Sequence, residues 1–112
     1  MSEAPHPGFD RARLVELFGE DAETIAEIER EFIATVRAAE REISGAADLA
    51  GIARAAHRVK GASGMIGAND LHKVAEALER SAATGDRPGV RCLQTVFSEE
   101  VRRIAEHAGP PA

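Results

Sequence analysis

Apolar residues recur along this chain at steps of three and four, the spacing that lines one side of an α-helix. Five segments show the pattern, and glycines and prolines separate them. The first, from Phe9 to Phe18, is short, groups Leu14, Leu17 and Phe18 on one side, and stops at Gly19. Asp21 is a good N-cap for the second, which runs to about Ser44 through Ile25, Ile28, Phe32, Val36, Ala39 and Ile43; Gly45 ends it. The third, about Ala47 to Ile66, carries Leu49, Ile52, Ala56, Val59, Ser63 and Ile66 inward. Gly67 is its natural stop, and Asn69 the cap of a fourth helix from Asp70 to about Ala83, with Leu71, Val74, Ala75 and Leu78 as the stripe. Gly85 and Pro88 mark a turn before the last segment, about Pro88 to His107, which buries Val90, Leu93, Phe97, Val101 and Ile104.

Four long helices joined by short turns predict an all-α, antiparallel up-down four-helix bundle, with the short extra N-terminal helix across one end. Residues 1–8, with two prolines and a glycine, read as a flexible leader, and residues 108–112, which end in GPPA, as a flexible tail. Residues 9–107 then form one domain, a common size for a single core among 112 residues. Composition agrees with helices: the only aromatics are four phenylalanines, whereas strands favour aromatic and β-branched residues.

Charge and cysteine content narrow the function. A net charge of −5 argues against a nucleic-acid partner, which calls for a basic face. One cysteine, Cys92, excludes an internal disulfide and any multi-cysteine metal site. No apolar run approaches the roughly 20 residues that span a bilayer, and the start MSEAPHPGF lacks the charge and apolar core of a signal peptide. A cytoplasmic monomer is the expectation.

The most informative residue is His57, in the stretch AAHRVKGASGMIGANDLHKVAEALE (residues 55–79). It lies off the apolar stripe, about 100° around the helix from Ala56. Lys60 follows one turn on, with Gly61 at i+4 and Gly64 at i+7, all on the histidine's side. Glycine inside a helix costs about 0.5–1 kcal/mol relative to alanine, so two of them point to something that must approach the backbone. The surface around one imidazole is cleared and a cation stands beside it, as suits a histidine that another protein's active site has to reach.

Other chemistries fit poorly. His57, His72, Cys92 and His107 have no metal-ligand spacing, and no HExxH motif occurs. Ser63 lies on the apolar side, with no second histidine at a spacing that would build a hydrolytic triad. The glycines sit inside a helix rather than between a strand and a helix, so they form no phosphate-binding loop. No metal or cofactor is expected.

The run His57, Lys60-Gly61, Ala62-Ser63, Ile66-Gly67-Ala68, Leu71 and Leu78-Glu79 resembles the signature of histidine-containing phosphotransfer (HPt) domains. LVELFGEDAETIAEIEREF (residues 14–32) is similar to that family's entry into its second helix, so the resemblance spans about residues 9–105. It implies a phosphorelay intermediate of two-component signalling. His57 would accept a phosphoryl group from a receiver-domain aspartate, or from a hybrid sensor histidine kinase, and pass it to another receiver. Imidazoles titrate near pH 6.5, which leaves one ring nitrogen free to attack phosphorus at neutral pH. Lys60 would serve the phosphoryl oxygens as a point charge; the competing reading is a lysine whose stem merely covers apolar surface. Gly61 and Gly64 would admit the receiver's loops, against close helix packing as the other reading of each. No nucleotide motif or magnesium-binding acidic cluster is visible, so the chain would be a phosphoryl carrier rather than an enzyme. A non-phosphorylated helical adaptor is the alternative, and retention of both His57 and Lys60 argues against it.

Ile33, one position past Phe32, falls beside its helix's stripe and would join an apolar docking patch near His57 or simply widen the core. His6, His72 and His107 read as solvated, Cys92 as a small boundary hydrophobe, and Arg102-Arg103 as partners of a helix C-terminus.

Overall fold

A computed structural model describes residues 11–107 of the chain, the side chains of Arg11 and His107 excepted. The leader at 1–8, Phe9, the tail at 108–112 and His6 lie outside the described residues. Five helices follow in order: α1 Arg11–Phe18, α2 Ala22–Gly45, α3 Leu49–Ile66, α4 Asn69–Ala83 and α5 Arg87–His107. The chain is all-α, and α2 to α5 form the bundle. Helix α3 packs most extensively on α4, α5 on α4, and α2 on both α3 and α5, which closes the ring.

Cross-helix contacts fix the antiparallel sense. His57 and Lys60 on α3 meet Glu79 late in α4, while the Lys60 carbonyl meets His72 one turn into α4. Ile43, near the end of α2, takes a hydrogen bond from Gln94 early in α5. Helix α1 sits where α3 ends: Arg13 Nε donates to the Met65 carbonyl over 3.2 Å.

The apolar stripes meet as the spacing predicts. Ile25, Val36, Val59, Leu71, Leu78 and Phe97 are fully or almost fully buried. Half of the buried residues of α3 and α4 are small: Ala55, Ala56, Ser63, Ala75 and Ala82. Short side chains let two helix backbones approach closely, and that approach allows polar groups on their rims to reach across.

Some expectations need correction. Leu17 and Phe18 are exposed rather than grouped on a core side; α1 is only eight residues long and seats Leu14 alone as a fully buried anchor. Leu49, Val74 and Leu93 are half-buried at the edge of the core rather than central. Cys92 is exposed, because the neighbouring Leu93 is itself at the margin of the α5 stripe. Helix α3 starts later than Ala47, since Asp48 takes the N-cap and accepts from the Gly51 N–H at 2.9 Å.

Asn69 is not the cap of α4 but its first residue; Ala68 holds the cap position, without a side-chain hydrogen bond. The cause is the tightness of the α3–α4 link. Gly67 adopts φ +77°, and the Ala68 N–H bonds back to the Ser63 carbonyl at 2.9 Å, a Schellman closure. Ala68 is itself completely buried, so a polar cap would have no water to face.

Left-handed backbone costs an L-residue about 1–2 kcal/mol. Gly67→Ala should therefore lower the unfolding free energy by that order with an unchanged denaturant slope, as measured by urea titration. A neutral result would show that the turn relaxes away from its left-handed geometry.

Candidate functional site

His57 lies in the middle of α3 with its side chain 65% exposed, off the buried line formed by Ala56, Val59 and Ser63. The ring does not float free. Its Nδ1 lies 2.7 Å from Oε2 of Glu79, which α4 supplies. The other carboxylate oxygen, Oε1, lies 2.7 Å from Lys60 Nζ. One carboxylate thus grips the histidine and the lysine of the next turn together. Glu79 and Lys60 are both about three-quarters covered, so water competes with the pairing less than at an open surface.

This geometry sets protonation. The Lys60 ammonium bonded to Glu79 and the His57 ring beside it hold its carboxyl below the ordinary carboxylate value, while partial burial pushes the other way. Glu79 is therefore ionised at neutral pH and can only accept hydrogen bonds. The proton of a neutral His57 is accordingly assigned to Nδ1, leaving the Nε2 lone pair free. A shallow depression of about 390 Å³, lined by Ala53, Arg54, His57, Arg58 and Glu79, opens beside the ring.

The two glycines separate. A Cβ on Gly61 would meet nothing within 4 Å, so that side of α3 is open above the backbone. A Cβ on Gly64 would stand 3.3 Å from Nδ1 of His72, whose ring lies across it. His72 is part-buried, with Nδ1 2.9 Å from the Lys60 carbonyl, and is not simply solvated. Gly64 is itself exposed, and a side chain there would press on the His72 ring of α4. Ile33 is half-buried against the core.

Two features escaped the sequence reading. Glu79 was visible only as part of a motif, and its role depends on the register between α3 and α4. Met65, 60% exposed, is two turns beyond His57 on α3 and beside α1, where Leu17 and Phe18 are exposed as well. Large apolar residues exposed together are the one available signal for such a patch. Among the described residues no three His, Cys, Asp or Glu side chains gather as a metal site would require. No described helix is long and apolar enough to cross a membrane.

Comparison with known proteins adds one finding. The family model described as Hpt domain matches residues 13–107, which contain all five helices apart from the first two residues of α1. No curated protein and no solved structure gives a match. Hpt domains are helical phosphocarrier modules, not kinases, and they interact with receiver domains and histidine kinases in phosphorelays. With a match over most of its length and the helical bundle that such a match requires, the chain belongs to the Hpt domain family, whose work is phosphotransfer in two-component and phosphorelay signalling.

Proposed function

We propose that His57 is the phosphoacceptor of a phosphorelay intermediate, taking the group from a receiver-domain phosphoaspartate and passing it to a second receiver. The observation that carries this reading is the Glu79 carboxylate at 2.7 Å from Nδ1 of a ring that is otherwise exposed. Nε2 attacks phosphorus, the N–P bond forms, and the P–O bond to the aspartate breaks with its electrons leaving on the carboxylate. Nδ1 keeps its proton, so the ring becomes cationic as the phosphoryl dianion arrives. Glu79 stabilises that positive ring, and Lys60 keeps Glu79 ionised and oriented. Lys60 therefore acts first through the carboxylate, in addition to any contact with the phosphoryl oxygens.

Reversal needs no new group. Attack by another receiver's aspartate on phosphorus expels neutral imidazole, already in the tautomer that the carboxylate prefers. The protein supplies a positioned nucleophile, while its partners supply the remaining catalytic groups. Docking would use the open backbone at Gly61, with the exposed Met65 further along the same helix. Gly64, exposed but with the His72 ring beside it, and the half-buried Ile33 would contribute to the margin of that surface.

Three outcomes are expected. His57→Gln should keep its circular dichroism spectrum yet take no label from a phosphorylated receiver; the wild-type label should be acid-labile and base-stable, as a phosphoramidate is. Undiminished labelling of the variant would remove His57 from the reaction.

Glu79→Gln should slow transfer by at least about tenfold, because a neutral amide can donate to Nδ1 and move the ring proton to Nε2. Nitrogen NMR of the ring should show that change of tautomer directly. The same variant tests linkage. A carboxyl whose folded pKa is lowered stabilises the fold above its unfolded pKa, about 4.3, and that contribution is lost as pH falls through the folded value. The stability gap between wild type and variant should then be full near neutrality and close below about pH 4.

Gly61→Leu should remain folded, since nothing occupies the space beside that Cα, but should lose transfer by an order of magnitude through its clash with the receiver. Full transfer by a folded variant would exclude Gly61 from the docking surface.

A further inference from the structure

Helix α3 differs in charge from every other helix. The chain is acidic overall, and α1, α2, α4 and α5 all carry glutamate, yet α3 holds Arg54, Arg58 and Lys60 and no acidic residue. These three cations are not equally available. Lys60 is committed to Glu79 at 2.7 Å, and Arg58 is paired with Glu42 of α2. Arg54 is exposed and has no ion-pair or hydrogen-bond partner among the described residues.

Its position matters as much as its freedom. Arg54 precedes His57 by three residues, a spacing that puts their Cβ atoms about 5–6 Å apart on one helix face. Side chains on a helix lean toward its N-terminus, so the imidazole leans over the turn that contains Arg54. Ala53, Arg54 and His57 accordingly line one depression with Glu79. The guanidinium lies toward Gly51, with Nη2 3.8 Å from where a Cβ on that glycine would stand. Asp48 Oδ1 lies 3.3 Å from that same point without forming an ion pair with Arg54, so the guanidinium has to swing one turn along α3 to reach a group on His57.

On the reading that His57 takes the phosphoryl group, we propose that Arg54 is a second cation that holds the phosphoryl oxygens during transfer, beside whatever contact Lys60 makes with the donors that Glu79 leaves unused. The charge balance favours it. The phosphoryl dianion moves from a carboxylate oxygen to Nε2 while Glu79 neutralises the cationic ring, so the oxygens of the moving group need a cation of their own. Lys60 spends one of its three donors on Glu79 and can offer the phosphoryl group only a point contact while it keeps that bond. Recruiting Arg54 breaks no pairing seen among the described residues. Its planar fork meets two phosphoryl oxygens at once, which an ammonium does not.

The test compares wild type, Arg54→Gln, Arg54→Lys and His57→Gln at saturating concentrations of a phosphorylated receiver that labels the wild type, and repeats the series with phosphoramidate as a partner-free donor. Arg54→Gln should lower the maximal rate of labelling about tenfold with both donors and leave the KM for the receiver nearly unchanged, with Arg54→Lys in between. An unchanged maximal rate overturns the proposal; a rise in KM alone would make Arg54 a contact for the receiver instead. Label on the His57→Gln variant would be a failure of the phosphoacceptor assignment itself and is read separately.

Discussion

Everything at the candidate site depends on one carboxylate that bridges two helices. Glu79 reaches from α4 to α3 and binds an imidazole nitrogen with one oxygen and an ammonium with the other. The buried faces of the two helices include Ala55, Ala56, Ser63, Ala75 and Ala82, short side chains that suit the extensive packing of α3 on α4. Core packing and chemistry are here the same constraint seen from two sides.

The sequence makes the helices and the histidine legible, and it does so for definite reasons. A stripe such as Ile25, Phe32, Val36, Ala39 and Ile43 has a single period and a single solution, so α2 comes out nearly as read. His57 stands out because it interrupts no stripe and has glycines around it. Contacts that join two helices were not legible. Glu79 follows Leu78 in an amphipathic helix and looks like any solvated glutamate until the register of α3 against α4 is known. The same register lays His72 over Gly64, and nothing in the spacing of either residue announces it. Short helices are the other blind spot: the stripe of α1 is real, but eight residues offer too little surface to bury more than Leu14 fully.

Conversely, the two glycines show how one sequence signal can carry two meanings. Both relax the surface beside His57, yet one leaves open space and the other holds a neighbouring ring. The division follows their places along the helix, Gly64 lying closer to the tight turn where α4 begins.

That turn has a consequence for how the site persists. His57, Lys60 and Glu79 all belong to one helical hairpin, and the widest separation that must be closed among them is 22 residues along the chain. Sites built from such short separations carry little loop-closure entropy and form with local structure rather than after it. Partial openings that begin at α1 or at the far end of α5, where fraying is cheapest, leave the hairpin and its bridging carboxylate in place. The imidazole and its carboxylate are thus insulated from fraying at the chain's outer helices, and their geometry outlasts fluctuations that a site assembled from distant segments would not survive.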